Sequence, residues 1–588
     1  MVLAGLFIAC VALVACGGGG DSTAVAPIST SALTAPVATT APTSTASRGA
    51  AGAAAVPTVP ATGTLLDRAK LPKPELDNVR YGGTLTQIRN ANPAFLDPKY
   101  FAQMDAEAMF YEKLAGWEAD PDTVFSRPIG VQAEKWSVST DLKTYTFNLR
   151  KGIKWHNVAP VNGRELVADD VAFSLNRYRD NDSDKYFNYK GVESVTAPDK
   201  YTVVIKLKEP DAWGINNLFG TTEYTVAPEV VAEGNGRIAL KGIGTGPYIL
   251  KAYAPRRGYS FVRNPDYWAK DEKGQRLPYT DAVESPFIAD SATVMAGYRT
   301  GQIDIGGSIG STENLISLAK SLPDLRITNI GISQESGLAF NVLNAPWNDV
   351  RVRRAWNMLM DKDKYIKSAS STPYWEYTTP IPWSLVSDEP FTFDKLGPYY
   401  KYNPTEAKKL LIEAGFPDGK MTLSSKLEFS TSPAHTFRST LFQQLYKENG
   451  ITFEITQMDT ATYFQKWYER SHKDISLNFS NHGDWSLNWY ANNKYEKDAT
   501  QNTSHIDDPE IQKLIKEVRV ATDPAKIRGY AKTFWDFDTL GSYYIYTPVE
   551  LTYGFTAPRV RNYVPRRGDN FTSALKLPWL VDAPRTSP

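Results

Sequence analysis

Both cysteines of this 588-residue chain, Cys10 and Cys16, lie within its first sixteen residues. Everything after them therefore folds without a disulfide framework, a thiolate metal site or a cysteine nucleophile. A chain of this length also exceeds what one hydrophobic core supports, which predicts two or three domains.

The segment that carries the cysteines is short and apolar. Residues 2–15 read VLAGLFIACVALVA without a charge, too few residues to span a bilayer comfortably and typical of a signal peptide, predicted at 1–15. The sequence LVAC, which ends at Cys16, resembles the lipobox of bacterial lipoproteins, and this implies that Cys16 is lipidated. No Lys or Arg precedes the apolar run, so we expect the natural start to lie upstream.

A long polar stretch follows Cys16. Residues 17–64 are mainly Gly, Ala, Ser, Thr, Pro and Val, with no aromatic residue and no periodic apolar pattern. Such a segment cannot bury enough surface to offset the entropy of ordering. We therefore predict a lipidated Cys and a disordered tether over 16–77, with a reach on the order of 40 Å.

Charge and composition argue against several classes of function. Lys and Arg number 65, as do Asp and Glu, so the net charge is zero and no polybasic block predicts a nucleic-acid partner. Aromatic residues make up 12% of the chain, which suits cores and a small-molecule cavity. No His, Asp and Glu cluster has metal-ligand spacing, so neither a metal nor a cofactor is predicted.

Strands and helices are both predicted after Leu65. In TYTFNLRKGIKW, Tyr145, Phe147 and Leu149 alternate onto one face, as in a half-buried strand. One predicted helix has Asn403 as its N-cap and Pro404 in its first turn and ends at Gly415. In another, Val352, Trp356 and Leu359 mark the buried face. Because strands and helices do not alternate strictly, we expect α/β domains with mixed sheets.

The stretch KGIGTGPYIL, residues 241–250, spaces glycines in a way that can expose backbone amides to a phosphate. A phosphate loop leads into a helix, however, whereas Pro247 removes an amide and YILKAY and YSFVRN predict two strands. The glycines are therefore predicted to be structural.

A serine motif leaves a hydrolase open as the alternative function. GGSIG at 306–310 matches the G-x-S-x-G nucleophile elbow, with Ser308 as the nucleophile. No histidine of the chain carries a matching local signature. A glycine-rich turn into a helix capped by Ser311 or Thr312 explains the same residues.

Paired carboxylates keep a glycoside hydrolase open as well. Asp169–Asp170 and Asp507–Asp508 have the residue type that this chemistry needs. Both pairs stand at predicted helix starts, where the helix dipole favours carboxylates, and we interpret them as caps.

Eight segments in order resemble one family, the large periplasmic-type solute-binding proteins of peptide ABC importers, called family 5. The resemblance runs from Tyr81 to Gly568. The segments are LDP at 96–98, AEKWSVSTDLKTYTFNLRKGIKWH at 133–156, VADDVAFSLNRY at 167–178, GTGPYIL at 244–250, VRNPDYW at 262–268, YRTGQIDI at 298–305, FNVLNAPWNDVRVRRAW at 340–356 and YNPTEAKKLLIEAGFPDG at 402–419.

The resemblance implies an α/β fold of the large type II periplasmic-binding-protein kind, with two lobes of mixed sheets, an extra subdomain and a hinge. The implied boundaries are lobe I at 78–103, 201–327 and 548–588, an inserted subdomain at 104–200 and lobe II at 328–547.

Two segments are implied to contact ligand. Residues after LDP line the ligand in oligopeptide binders, here Ala102, Gln103 and Met104. The family's Trp-x-x-Asp-Tyr segment, whose Asp binds a peptide's amino terminus, is similar to NHGDWSLNWY at 481–490. It places Asp484 as the acid and Trp485 as the aromatic residue after it.

Asn481 and His482 depart from that motif and leave the cargo open. A peptide is the expected cargo, with an oligosaccharide, a metal chelate or an opine as alternatives. The implied protein is a monomeric, non-enzymatic lipoprotein at the cell envelope that delivers its ligand to ABC permease subunits. A purely structural surface lipoprotein is a third hypothesis.

Cys16→Ser tests the predicted anchor. Because Cys16 is the only lipidation candidate, the variant should leave the membrane fraction and appear folded in the soluble fraction, measured by fractionation and circular dichroism. A variant that still sediments with membranes contradicts the lipobox assignment.

Overall fold

The computed structural model describes fourteen segments of the chain. They are residues 65–66, 74–89, 96–100, 104–119, 126–183, 186–215, 223–331, 337–369, 375–387, 391–431, 433–478, 486–550, 552–563 and 576–584. All of them belong to one unit, Ala53–Pro588. The predicted signal peptide and Cys16 lie outside the described residues.

The described strands, in chain order, are β1 (Leu65–Leu66), β2 (Thr84–Ile88), β3 (Ala115–Ala119), β4 (Ser126–Gly130), β5 (Ala133–Val138), β6 (Thr144–Leu149), β7 (Val192–Asp199), β8 (Thr202–Leu207), β9 (Tyr248–Ala254), β10 (Gly258–Arg263), β11 (Ala282–Pro286), β12 (Ile305–Gly306), β13 (Arg326–Gly331), β14 (Gly337–Phe340), β15 (Trp375–Tyr377), β16 (Met421–Ser430), β17 (Ile451–Met458), β18 (Ile475–Asn478), β19 (Tyr544–Tyr546), β20 (Pro548–Glu550), β21 (Thr552–Thr556), β22 (Val560–Arg561) and β23 (Trp579–Leu580).

The described α-helices are α1 (Met104–Phe110), α2 (Ala168–Arg177), α3 (Tyr186–Tyr189), α4 (Pro228–Glu233), α5 (Ser291–Arg299), α6 (Thr312–Ser321), α7 (Val350–Leu359), α8 (Lys362–Ala369), α9 (Pro404–Glu413), α10 (Pro433–Glu448), α11 (Thr460–Tyr468), α12 (Leu487–Tyr490), α13 (Pro509–Arg519) and α14 (Pro524–Gly541). A π-helical turn at Ala491–Tyr495 follows α12.

The largest sheet of the described residues has eight strands in the order β1-β13-β21-β12-β2-β11-β10-β9. It is mixed, because β2 pairs in parallel with β11 and β12 while β10 pairs antiparallel with β9 and β11. The β9–β10 hairpin contains YILKAY and YSFVRN, which confirms the prediction of two strands after the glycine-rich stretch.

A four-stranded antiparallel sheet, β5-β6-β8-β7, lies beside α2. Tyr145, Phe147 and Leu149 of β6 are buried at 0%, 0% and 3% exposure, as the alternation predicted. They join one apolar cluster with residues of the eight-stranded sheet, so the two sheets share a core.

A five-stranded sheet, β17-β16-β18-β14-β19, forms the other core. Helix α7 presents Val352, Trp356 and Leu359 to this core, confirming the predicted apolar face. Trp347 stacks on Phe340 of β14 with ring centroids 4.8 Å apart. Large aromatic side chains thus fill the space between helices and sheet.

Within the described residues, no buried apolar cluster combines residues of the five-stranded sheet with residues of the other two sheets. The fold therefore has two bodies: a first lobe on the eight- and four-stranded sheets and a second lobe on the five-stranded sheet. The expected two-lobed α/β class is confirmed. Strand β8 extends the four-stranded sheet past residue 200; the exact lobe boundaries stay a prediction.

The helix caps follow the sequence signals. Asn403 accepts a hydrogen bond from the amide of Glu406 at 3.1 Å, and Pro404 begins α9. Asp508 accepts from the amides of Glu510 and Ile511 at 2.9 and 3.1 Å. Both act as predicted N-caps, because their oxygens satisfy amides that lack a helical partner.

The glycine-rich stretch passes close to the end of α1. A Cβ on Gly244 would lie 1.8 Å from the carbonyl oxygen of Phe110, and one on Gly242 would lie 2.6 Å from the Phe110 ring. The Gly246 amide donates to the Phe110 carbonyl at 3.0 Å. The glycines are required by this approach of two backbones, which confirms the structural interpretation.

Gly244→Ala should therefore destabilise the protein by about 2 kcal/mol or more, because overpacking against backbone forces a local shift. Gly191→Ala is the control, since a Cβ there meets nothing within 4 Å, and it should stay within about 0.5 kcal/mol of wild type. Urea unfolding measures both, and equal effects would contradict the steric explanation.

Candidate ligand-binding site

The parallel strands of the first lobe end toward one edge. Strands β11, β2 and β12 pair in parallel, and β13 runs the same way because both β12 and β13 pair antiparallel with β21. In open α/β sheets, ligands bind outside the carboxyl ends of such strands. This edge is therefore the first lobe's candidate binding edge.

The chain crosses to the second lobe at the same edge. It leaves from β13 and enters β14 at Gly337, and it returns through β19, β20 and β21, which follow one another within residues 544–556. Gly337 is paired with Asn478, the last residue of β18, and with Tyr546, the last residue of β19. The carboxyl ends of β18 and β19 thus lie where the chain enters the second lobe. We call the carboxyl ends of β18 and β19, together with those of β11, β2, β12 and β13 in the first lobe, the crossing edges.

The candidate loop of the second lobe leaves from this edge. Asn481, His482, Asp484 and Trp485 lie outside the described residues. The described flanks are Asn478, at the end of β18, and Ser486, whose Oγ accepts from the Trp489 amide at 3.3 Å and caps α12. Residues 479–485 therefore connect the end of β18, which lies at the crossing edge, to the capped start of α12.

The candidate segment of the first lobe is also fixed at both ends. Ala102 and Gln103 lie outside the described residues, as does the side chain of Met104, which begins α1. Upstream of them, Asp97 of the LDP motif is fully buried.

Asp97 is held by four donors. Its carboxylate accepts hydrogen bonds from Nη1 and Nη2 of Arg177 at 3.1 and 2.6 Å. It also accepts from the backbone amides of Ile238 and Lys99, each at 3.0 Å. A bidentate pair of this kind fixes orientation as well as distance. The LDP motif thus anchors the candidate segment to α2.

A second buried acid joins the family motifs. The Glu112 carboxylate accepts from Thr245, Tyr267 and Trp268 at 2.9, 2.8 and 2.9 Å. Burial raises the pKa of Glu112, while the three donors oppose that shift. Glu112 therefore connects GTGPY and VRNPDYW inside the first lobe.

The serine of GGSIG lies in a turn. Gly306, Gly307 and Gly310 have φ of 82°, 87° and 81°, and Ser311 caps α6 by accepting from the Asn314 amide at 3.3 Å. Ser308 is exposed. Among the described histidines, none is hydrogen-bonded to it.

The paired carboxylates are engaged at helix starts. Asp170 receives the Val167 amide at 3.0 Å and an Arg164 nitrogen at 2.7 Å. Asp508 is an N-cap, and Asp507 pairs with Lys497 at 2.8 Å. The interpretation as caps holds for Asp508 and for Asp170, which accepts from the amide of the N-cap residue Val167. Asp507 instead precedes the cap and pairs with Lys497, and Asp169 lies in the first turn of α2.

The described segments lack two further features. No group of three or more His, Cys, Asp or Glu residues there is arranged to hold a metal ion. No helix there is both long enough and apolar enough for a membrane span.

The comparison with protein families decides the classification. The model of the bacterial extracellular solute-binding proteins, family 5 (middle region), matches residues 127–502. The chain belongs to this family. It is therefore an extracytoplasmic solute-binding protein with two lobes.

Two curated relatives are similar over most of the chain. The di/tripeptide-binding protein 1 of Pseudomonas aeruginosa is 26% identical over 481 residues, which cover 76% of this chain and 85% of that protein. The glutathione-binding protein GsiB of Pectobacterium atrosepticum is 26% identical over 428 residues, covering 71% and 78%.

Two solved structures share the fold. DppA of Helicobacter pylori, in complex with the peptide STSA, aligns with a TM-score of 0.71 at 21% identity and covers 86% of this chain and 99% of that one. MoaA of Agrobacterium tumefaciens R10, in complex with mannopinic acid, aligns with a TM-score of 0.67 at 20% identity, covering 86% and 100%.

A buried charge cluster in the second lobe has no counterpart in any local sequence pattern. Lys494 of the π-helical turn donates to the Pro380 carbonyl at 2.7 Å and to the Tyr546 hydroxyl at 2.9 Å. Asp538 accepts from the hydroxyls of Tyr495 and Tyr546 at 2.8 Å each. Because these residues are far apart in sequence, no local pattern reveals them. They fix Tyr546 at the crossing edge.

Asp97→Asn should lower the free energy of unfolding by about 3 kcal/mol, because it leaves the Arg177 guanidinium buried and unpaired. Adding Arg177→Met should cost less than the sum of the two single changes, since the two residues are coupled. Urea unfolding of the four proteins measures the cycle.

Lys532→Met is the matched control for this cycle. It removes an exposed pair with Asp536 at 2.8 Å, and such pairs are worth less than about 1 kcal/mol. Additive losses at Asp97 and Arg177 would contradict the proposed anchor.

Proposed function

We propose that this protein captures a peptide with a free amino terminus between its two lobes and passes it to an ABC importer. The observation that carries the proposal is the register of β14. Pairing of Gly337 with Asn478 and Tyr546 puts the start of the 479–485 loop where the chain crosses from the first lobe. A ligand at the crossing edges would touch both lobes and favour their closure.

Asp484 is the proposed acid for the ligand's ammonium group, and Trp485 would cover the neighbouring part of the peptide. On the first lobe, Ala102, Gln103 and Met104 would line the same ligand. Asn481 and His482, which replace the family's usual residues, would set selectivity. The relatives support a peptide cargo, because one is a di/tripeptide-binding protein and the other binds glutathione.

The proposal includes anchoring through a lipid on Cys16. A tether over the part of 16–77 that precedes β1, whose residues Leu65–Leu66 pair with β13, would let the lobes move in solution while the protein stays at the membrane. Neutral overall charge gives no reason to expect a second, electrostatic attachment to lipid.

A different cargo is the second candidate. The structural neighbour in complex with mannopinic acid has the same fold, and a scaffold of this kind carries specificity in its loops rather than its sheets. An oligosaccharide, a metal chelate or an opine would then occupy the same edges. The hydrolase hypothesis predicts turnover of ester or glycoside substrates that Ser308→Ala or a carboxylate variant abolishes.

Asp484→Asn tests the proposed site. Removing one member of a charge pair closed off from water typically costs 2–5 kcal/mol, which corresponds to roughly thirty- to several thousand-fold in Kd. The variant should bind the tetrapeptide Ser-Thr-Ser-Ala at least tenfold more weakly by calorimetry. The N-acetylated peptide should already bind wild type poorly and lose little more.

Asp324→Asn is the control, because Asp324 is an exposed carboxylate at the loop before β13. It should bind both peptides as wild type does. If Asp484→Asn weakens the binding of both peptides by the same factor, Asp484 has a structural role and does not pair with the ammonium group. If wild type binds neither peptide, the cargo belongs to another chemical class.

A further inference from the structure

A rigid turn follows β8 in the first lobe. The Asp211 amide donates to the Leu142 carbonyl at 3.0 Å, and the Asp211 carboxylate accepts from the Trp213 amide at 2.6 Å. The Tyr145 hydroxyl donates to the Asp211 carbonyl and accepts from the Gly214 amide at 3.0 Å. The turn at 211–214 is therefore held by its own lobe.

The same turn contacts the second lobe. The Ala212 amide donates to the Arg519 carbonyl at 2.8 Å, and the indole Nε1 of Trp213 donates to the Val518 carbonyl at 3.0 Å. Both acceptors lie in the last turn of α13, whose carbonyls lack the i+4 donors of a continuing helix. The Val518 carbonyl also accepts from the Ala521 amide at 3.1 Å, so the contact adds a further donor there and gives the Arg519 carbonyl a donor from the other lobe.

This end of α13 is connected to the candidate loop. Arg519 donates from Nη2 to the Asn492 side chain at 2.6 Å, in the π-helical turn that follows α12. Helix α12 begins directly after the loop that contains Asp484. An exposed pair nearby, Lys190 with Glu496 at 3.9 Å, also joins the lobes. The turn therefore contacts α13, and Arg519 of α13 connects this contact to the element that follows the candidate loop.

We infer that the 211–214 turn is a latch for the closed protein, with Trp213 as an affinity-determining residue. The two lobes have separate apolar cores, so these hydrogen bonds form only while the lobes lie together. A contact present only in the closed state favours that state, and a ligand enclosed between the lobes binds more tightly as a result. The effect on affinity rests on the proposed function, whereas the contact itself does not.

Cross-linking tests the contact without a ligand. The backbone hydrogen bond between residues 212 and 519 brings their Cα atoms near the separation that a disulfide needs. Ala212→Cys with Arg519→Cys, in a Cys10→Ser, Cys16→Ser background, should cross-link on mild oxidation. The pair Ala252→Cys with Ser260→Cys, opposite each other in β9 and β10, controls for oxidation within one lobe.

The latch predicts that the 212–519 cysteine pair forms a disulfide and that neither single-cysteine variant does. Where open molecules are present before oxidation, the radius of gyration should fall when the disulfide forms. The latch is overturned if the control disulfide forms but the 212–519 disulfide does not, both in the presence and in the absence of Ser-Thr-Ser-Ala. Cross-linking in a protein that binds no peptide supports the latch while contradicting the peptide cargo.

Trp213→Phe tests the role in affinity. It keeps an aromatic ring and removes the indole donor, so Ser-Thr-Ser-Ala should bind about three- to tenfold more weakly, as expected for one hydrogen bond. The loss should appear in the dissociation rate, with the melting temperature unchanged. Trp136→Phe, a half-buried tryptophan of β5 in the first lobe, should bind as wild type does.

Equal affinity of Trp213→Phe and wild type overturns the assigned role of Trp213, and so does an equal loss in Trp136→Phe. A lower melting temperature of Trp213→Phe with an unchanged dissociation rate also contradicts this role. Trp213 would then stabilise the folded protein without affecting how tightly the ligand is held.

Discussion

Gly337 pairs with two strands at once, and the position of the candidate site depends on that pairing. A Cβ at this residue would lie 1.7 Å from the carbonyl oxygen of Ile545, so only glycine lets β14 and β19 approach as they do. The register then places the ends of β18 and β19 beside the point where the chain enters the second lobe. A shift by one residue would reverse the faces of β14, whose residues are buried on both sides.

Buried charges fix the segments around this edge. In the first lobe, Arg177 and two amides hold the Asp97 carboxylate just before the candidate segment. In the second lobe, Lys494 and Asp538 hold Tyr546 at the end of β19. Charges removed from water are stabilised only by closely matched partners. They therefore restrict the backbone close to the places where the two candidate segments begin.

Two kinds of connection join the lobes. The crossing strands are covalent and allow a hinge, whereas the turn at 211–214 reaches α13 by hydrogen bonds that a separation would break. Both connections reach the second lobe, to which the candidate loop belongs. Binding at that loop and closure at the turn would thus act on the same body, which is how a solute-binding protein can couple capture to a change of shape.

The sequence by itself determined the local features. The alternation in β6, the caps at Asn403 and Asp508, the β9–β10 hairpin and the two-lobed class were all predictable, because each depends on residues close in the chain or on an ordered series of motifs. The roles of Asp484 and the other candidate residues stay predictions, since they lie outside the described residues.

Only the tertiary structure decided which distant residues meet. Asp97 and Arg177 are 80 residues apart, and Trp213 and Val518 are 305 apart. Nothing in the local sequence around Gly244 shows that Phe110 passes within 2 Å of where its Cβ would be. Sequence periodicity reports which face of an element is buried, but not what covers it. The partners are set by strand register and by the path of the chain between its two lobes.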